Sequence, residues 1–484
     1  MLFPTFSFAI FFLCVFVGFW YVFRRNLQRR IFLVAASYLF YSFWDWRFSF
    51  LLLASTAANY GFAILVGRSR EHAWRKASLV LSVVFNLLLL GFFKYYNFFA
   101  DSANGLIHLL SQSPQGTAAG ARFLFPILNV IMPVGISFYT FKAMSYVFDV
   151  YLCKMAPVRS FLDVMLYVSF FPQLASGPIV HAVDFFPQIA ANAEAARDIE
   201  ARPIQFSRAS ALIMSGLLKK MVFANFLSTL FVDPVFADLA SCNPLESLLA
   251  AVAYSVVIYT DFSGYSDMAI GIALLLGFTT PANFDRPYAS FSVTEFWKRW
   301  HITFSSWLRE YLYFSMGGSR FGLARTLAAL FFTMLLGGLW HGASVTFLVW
   351  GAMQGLALAL ERGFSCGTER SGKPWKAALQ ICATFGFTTV SWIVFRAGSL
   401  GDVGAFFGSL INFSAPVTRI TPLVCILVAA GLLMHAVPVK ARDWLSGLWQ
   451  AVPLAFKGIL IAVFLASIAV VSMSGVAPFI YFSF

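Results

Sequence analysis

Residues 291–343 read FSVTEFWKRWHITFSSWLREYLYFSMGGSRFGLARTLAALFFTMLLGGLWHGA. The stretch has two halves. The first is polar and aromatic together, with Lys298, Arg299, Arg309, Arg320 and Arg325 around Trp300-His301. The second, LAALFFTMLLGGLW, carries no charge and ends on Trp340-His341. An uncharged run of that length reaches deep into a bilayer. Titratable groups placed in such surroundings are costly, which makes both histidines functional candidates.

The rest of the chain agrees with a bilayer. Of 484 residues, 60% are hydrophobic and 11% are charged. A soluble domain averages about 25% charged residues, so little of this surface faces water. The composition specifies an all-α polytopic membrane protein, with spans of roughly 20 residues. Apolar stretches lie at 5–23, 31–45, 49–66, 78–96, 124–141, 161–180, 209–231, 246–277, 326–341, 345–360, 377–395, 420–437 and 455–473. Several are short or interrupted, so some are expected to re-enter rather than cross. The net charge of +13 is then a topology device, and no soluble basic patch points to nucleic acid. The six cysteines (14, 153, 242, 366, 382 and 425) are scattered without a CxxC pair. They read as small buried thiols, and no metal-ligand spacing is present.

Loop charges set sides for the first spans. No Lys or Arg precedes the first apolar run, whereas Arg24, Arg25, Arg29 and Arg30 follow it. That predicts a retained helix with its N-terminus outside. Segment 67–76 is basic and reads as cytoplasmic; 97–121 has no Lys or Arg and reads as outside. The polar stretch 184–208 reads as a short cytoplasmic amphipathic excursion.

Taken as one helix, Phe296–Phe314 places Trp297, His301, Ser305 and Leu308 along one stripe. Its cationic surroundings either anchor the helix by snorkelling or dock an anion such as phosphate. His341, beside Gly337, Gly338 and Gly342, is either a hydrogen-bonding tie between helices or a general base for a hydroxyl; the residues alone favour the tie. Asp261 and Asp267 interrupt the apolar run 254–278, together with Ser263, Tyr265 and Ser266. They form either a structural polar knot or a support that orients one of the histidines. Lys142 and Asp149 read as a cytoplasmic exit. His181 reads as structural, and His72, His108 and His435 receive no role. Broken helices and midplane carboxylates also suit a transporter or flippase of an activated acyl or lipid-linked substrate, without chemistry of its own.

Several segments resemble membrane-bound O-acyltransferases (MBOATs), most closely their AlgI-like bacterial branch. They are DFSGYSDMAIG (261–271), NFDRPY (283–288), TEFWKRWHITFSSWLREYLY (294–313), GGSR (317–320) and GLWHGA (338–343). PVGISFYTF (133–141), FFPQLASGPI (170–179), GLLKK (216–220) and the terminal PFIYF (478–482) also match. Glu310 stands where many members carry Asp, and the tail reads FSF where FQF is common.

The resemblance implies a single domain over 1–484: an N-terminal sub-bundle at 1–120, a catalytic core at 124–362 and C-terminal helices at 376–484. It implies a ring of about ten to twelve transmembrane helices plus re-entrant helices around a central tunnel. His341 matches the family's catalytic histidine and His301 its second histidine. The implied donor, acetyl-CoA, would dock near Lys298, Arg299 and Arg309, with Asp261, Asp267, Trp340 and Trp300 in support. The implied activity passes an acetyl group across the bacterial inner membrane to an extracytoplasmic polysaccharide such as an alginate-like polymer or peptidoglycan. A periplasmic acetyltransferase partner of the AlgJ/AlgX or PatB kind is expected.

Overall fold

The computed structural model describes residues 3–110, 125–128, 130–195, 204–364 and 370–471. Among these residues the chain is helical, with no strand. The helices in order are α1 Phe6–Val17, α2 Asn26–Ser42, α3 Arg47–Arg68, α4 His72–Leu90, α5 Tyr96–Leu110, α6 Ile136–Tyr151, α7 Phe161–Ser169, α8 Phe171–Leu174, α9 Ala182–Ala195 and α10 Phe206–Leu218. They continue with α11 Asn225–Leu227, α12 Asp233–Ala237, α13 Pro244–Leu275, α14 Val293–Arg299, α15 Ile302–Trp307, α16 Leu323–His341, α17 Val345–Gly363 and α18 Pro374–Arg396. The last are α19 Leu400–Ser409, α20 Pro422–Leu433, α21 Val439–Ala451 and α22 Leu454–Val471. Several are joined by π-helical turns, notably Gly91–Tyr95, Lys219–Ala224 and Leu308–Tyr313.

Six described helical stretches are long and apolar enough to cross a membrane, or seven if α21 and α22, bent by 113°, count as one. Shorter apolar helices flank them at Phe6–Val22 and Pro422–Leu433. The outward faces carry Leu13, Phe50, Leu88, Phe332 and Leu460. Such a surface is stable only against lipid. The chain is therefore a multi-pass membrane protein.

α13 is the axle. Its first turn has a reciprocal cap between Asn243 and Glu246, with Pro244 just inside the start; each feature supplies or spares an orphan N–H. Every residue from Ala253 to Ser266 along it is buried, so it is wrapped on all sides. α10 lies against it at Gly216 and Gly264, where a Cβ on Gly264 would sit 2.8 Å from the Gly216 carbonyl oxygen. α16 and α17 pair as closely. A Cβ on Gly338 would lie 2.3 Å from the Phe347 carbonyl oxygen, an approach that glycine's missing side chain allows.

Contacts also sort the loops into two ends. Arg30 pairs with Asp163 at 2.7 Å, the Tyr60 hydroxyl donates to the Arg159 carbonyl and Arg75 donates to the Tyr151 carbonyl. Lys154 then pairs with Glu310 at 2.8 Å. The basic segments 24–30 and 67–76 thus share one end with residues 151–163 and 310. This basic end is the one the charge pattern assigns to the cytoplasm.

Some expectations hold and others change. The stretch 161–180 is interrupted, as its Pro and Gly residues from 170 onward lead one to expect: α7 stops at Ser169, a four-residue turn follows, and 175–181 is irregular. Pro172 and Gly177 break the helical ladder there. Residues 296–314 are likewise not one helix, because the backbone breaks at Trp300-His301. The described part of 124–141 is non-helical as far as Gly135, whose φ is 72°, before α6 begins, so the run is interrupted at Pro133 and Gly135, as those residue types lead one to expect. Lys142 is fully buried and donates to Gln173 Oε1 at 2.9 Å, so it marks no exit. Of the described cysteines only Cys242 is buried; Cys14, Cys153, Cys382 and Cys425 are exposed. Apolar runs in this chain cover lipid-facing surface as well as core, which is why apolar context misjudged them. The loop 111–121, the end of the polar stretch 184–208, Cys366 and the motif at 478–482 lie outside the described residues, as does the side chain of His108.

Candidate active site

His301 sits in the break between α14 and α15 with a left-handed φ of 44°. A non-glycine residue held there costs of order 1–3 kcal/mol and marks a functional candidate. Backbone bonds from Ile302 N to the Asn283 carbonyl and from Asp285 N to the Arg299 carbonyl, each 2.9 Å, pin the break to the loop after α13. The His301 side chain is wholly buried.

Its tautomer can be assigned. Asn283 Oδ1 accepts from the Thr303 backbone N–H at 3.3 Å and from the Thr303 hydroxyl at 2.9 Å. Asn283 Nδ2 donates to Ser266 Oγ at 3.2 Å. A backbone N–H can only donate, so the oxygen of this amide faces Thr303. The same oxygen lies 3.1 Å from His301 Nδ1, so Nδ1 carries the proton and Nε2 holds a lone pair. Nε2 has no hydrogen-bond partner among the described residues.

His341 is the last residue of α16 and is buried. The Phe304 ring lies between the two imidazoles, with its centroid 4.9 Å from His301 and 5.3 Å from His341. Trp340 packs on Phe304 at 4.5 Å and reaches His301 at 6.4 Å. Trp350 and Phe395 meet the His341 ring edge-on at 5.1 and 5.4 Å. Two imidazoles thus share one aromatic box, supported by different elements: one by a strained loop, the other by a helix end.

Cavities approach this box from both ends. One of about 780 Å³ is lined by three cations, Lys298, Arg309 and Arg362, against two carboxylates, Glu295 and Glu361, with Ser305, Ser306 and Thr333 among the rest. A smaller one of about 240 Å³ holds His341, Trp340, Lys94, Ser137 and Trp44 in its lining. The first belongs to the basic end, since its lining includes Arg309, next to Glu310. The second belongs to the opposite end, with Trp44 in the loop between α2 and α3.

The structure therefore gathers His301, His341 and Trp340, and places Lys298 and Arg309 in the larger cavity. It does not bring Arg299 there: Arg299 pairs with Glu295 one turn back on α14. Trp300 is a packing pillar against Phe296, Phe284 and Trp392. Asp267 is held by Lys219 at 2.7 Å, and Asp261 by Lys220.

Several interior polar residues were not marked by the sequence. Asn283 stood only as the first residue of the NFDRPY motif, yet it orients His301. Lys94 donates to the carbonyls of Trp340 and His341 at 2.7 and 2.8 Å; a lone cation closing an apolar run was the available signal. His435, given no role, is buried between Tyr259 and Tyr288 at 4.3 and 4.8 Å. His181 and Glu310 join a network at the basic end. The Tyr311 hydroxyl donates to Asp149 at 2.6 Å and lies 3.0 Å from His181 Nδ1, while Lys154 bridges Glu310. Among the described residues no cluster of three or more His, Cys, Asp or Glu is arranged to hold a metal.

The profile of the MBOAT, membrane-bound O-acyltransferase, family matches residues 38–396. This chain belongs to the membrane-bound O-acyltransferase family. The match contains both histidines, the aromatic box and the lining of both cavities. The chain is similar to a probable alginate O-acetylase AlgI of Pseudomonas putida, with 36% identity over 513 aligned positions covering 100% of both chains. It is similar to a protein of the same name from Pseudomonas syringae pv. tomato, with 37% identity over 415 positions, 85% of this chain and 76% of that one. A peptidoglycan O-acetyltransferase of Helicobacter pylori is 34% identical over 404 positions, 78% of this chain and 72% of that one. The protein is thus an O-acyltransferase of the membrane-bound family, with helices and no strand among its described residues.

Proposed function

We propose that this O-acyltransferase takes an acetyl group from a cytoplasmic thioester, acetyl-CoA, and passes it across the bacterial inner membrane for O-acetylation of an extracytoplasmic polysaccharide. The observation that carries this reading is the pair of imidazoles around Phe304, flanked by a cationic cavity at one end and a small cavity at the other. In this reading Lys298 and Arg309 meet the donor's phosphates, a role that suits cations at a cavity wall. The thioester reaches inward to the aromatic box. His341 removes the proton from the acceptor hydroxyl as it attacks the thioester carbonyl. The thiol leaves with that proton.

His301 assists with Nε2. Asn283 keeps the lone pair on that nitrogen, which suits it to accept a hydrogen bond from the thiol or hydroxyl partner. Asp261 and Asp267, each neutralised by a lysine, support α13 and α10 rather than exchange protons. The acceptor is an alginate-like exopolysaccharide or peptidoglycan, because the relatives carry those names. A periplasmic acetyltransferase of the AlgJ/AlgX or PatB kind would receive the group and finish the transfer.

The test is made in proteoliposomes with acetyl-CoA outside and hydroxylamine as a small acceptor. Free CoA is read with a thiol reagent. A general base contributes about 10²–10⁴-fold, so His341→Ala should lose at least about a hundredfold in turnover. Near-wild-type CoA release from a folded His341→Ala protein would reject the base assignment. Absence of CoA release from the wild-type protein would reject acyl transfer and favour a transporter.

A further inference from the structure

The turn Gly91–Tyr95 closes on the end of α16. Tyr95 donates from its hydroxyl to the Leu339 carbonyl at 2.8 Å. Lys94 Nζ donates to the next two carbonyls, Trp340 at 2.7 Å and His341 at 2.8 Å. These are C-terminal carbonyls, which an α-helix leaves without internal partners and which carry the negative end of its dipole. Two adjacent side chains of one π-helical turn therefore cap the helix that carries His341.

Capping does not use up Lys94. An ammonium has three N–H donors, and two are engaged. Among the described residues no carboxylate lies within ion-pair distance of Nζ, and Asp45, next to the cavity-lining Trp44, is paired with Arg47 at 2.6 Å. Lys94 lines the same small cavity as His341, and no Asp or Glu contributes to that lining. The rest of the wall is apolar apart from Ser137 and the Trp340–His341 end. A cation offset only by carbonyls and by the Trp340 ring face, 5.9 Å away, beside the proposed base, is matched to negative charge that appears during reaction.

We propose that Lys94 is the oxyanion-stabilising residue of acyl transfer at His341. The proposal rests on the reading of His341 as general base. The acceptor oxygen bonds to the thioester carbonyl carbon, and the carbonyl π pair moves onto its oxygen. His341 takes the acceptor's proton. The third N–H of Lys94 donates to the new oxyanion. Collapse re-forms the carbonyl and breaks the C–S bond, and the imidazolium returns the proton to the departing thiolate. No other reactant is needed.

The rival role is a clamp alone, and Tyr95 separates the two. The full-length protein in proteoliposomes is given acetyl-CoA and hydroxylamine. Removing one oxyanion donor costs about 10²–10³ in kcat. Lys94→Met should therefore lose about a hundredfold or more in kcat, with KM for acetyl-CoA within about threefold of wild type. Tyr95→Phe, which removes only a cap, should lose much less, and Lys94→Arg should recover a large part of the loss. Three results overturn the proposal: kcat in Lys94→Met within about threefold of wild type, equal losses in Lys94→Met and Tyr95→Phe, or a raised KM at unchanged kcat. If Lys94→Met does not fold, Lys94→Gln replaces it, since Gln keeps N–H donors without the charge. Equal activity of the Gln and Arg variants then overturns the proposal, and a deficit confined to Gln supports it. His341→Ala is run alongside: activity retained there rejects the base, whereas activity retained only in the Lys94 variants rejects the oxyanion role.

Discussion

Replacing Asn283 by Ala tests how His301 is held. The substitution leaves the backbone bond from Ile302 N to the residue 283 carbonyl in place, so the loop keeps its anchor. It removes the acceptor of His301 Nδ1–H, of the Thr303 hydroxyl and of Thr303 N–H. The hydroxyl keeps its other partner, because Thr303 Oγ1 also accepts from Ile179 N at 3.0 Å. Two buried N–H donors are stranded, at about 1–3 kcal/mol each. Water entering the vacated space offsets part of that, which leaves a loss of about 2–4 kcal/mol. The imidazole is also freed to carry its proton on Nε2, which would withdraw the lone pair from the aromatic box. We expect kcat to fall about 10- to 100-fold, equivalent to about 1.4–2.7 kcal/mol of barrier. Tryptophan-detected thermal unfolding in detergent measures the first effect and CoA release in proteoliposomes the second. A variant that unfolds earlier but turns over at the wild-type rate would show that the tautomer is irrelevant to catalysis. A variant unchanged in both assays would refute the hydrogen-bond argument itself.

Lys220→Met leaves Asp261 buried without its lysine and should destabilise by about 3–5 kcal/mol, whereas adding Asp261→Leu should restore most of that; identical unfolding of the single and double variants would contradict the pairing. Gly338→Ala puts a Cβ 2.3 Å from the Phe347 carbonyl oxygen, so α16 and α17 must part and CoA release should collapse. Gly386→Ala, inside α18 with nothing within 4 Å of the new Cβ, should be neutral or stabilising by up to about 1 kcal/mol. Lys298→Ala and Arg309→Ala should each raise KM for acetyl-CoA several-fold at nearly constant kcat, and the wild-type KM should rise with salt; a fall in kcat alone would move those residues from docking to chemistry.

The membrane class was legible because charge content is a global property that no local packing can reverse. α13 was legible too, since its apolar run and its interrupting carboxylates are local signals. The partners of those carboxylates were not. Lys219 and Lys220 lie more than forty residues from Asp267 and Asp261, and close approaches of α10 to α13 at Gly216–Gly264 and at Gly271 bring both lysines within reach. Nor could spacing reveal that Asn283, rather than an aspartate, orients His301. That contact needs a reversal of the chain after α13 and a left-handed residue at 301. The resemblance supplied the histidines' standing in advance; the aromatic box that joins them comes from α15, α16, α17 and α18 together.

The backbone break at Trp300-His301 ends the 296–314 stripe, and widened turns defeat helical periodicity further along and elsewhere in the chain. Periodicity assumes a constant 100° per residue, and a π-helical turn inserts one residue and shifts the phase of everything after it. Leu308–Tyr313 is such a turn and carries Arg309, Glu310 and Tyr311; Lys219–Ala224 carries the two lysines that hold α13; Gly91–Tyr95 carries Lys94 and Tyr95. They aim Lys220, Lys94, Tyr95 and Tyr311 inward from helices whose neighbouring residues face lipid or core. A regular α-helix at these points would direct the same side chains elsewhere on its circumference. Widened turns loosen the backbone ladder, a cost that a helix in lipid tolerates only where neighbouring protein covers the loosened groups. They therefore occur where helices pack around the interior, and that is where a cation or a carboxylate must be aimed. The same insertion that hides these residues from a periodic reading of the sequence delivers them to the site.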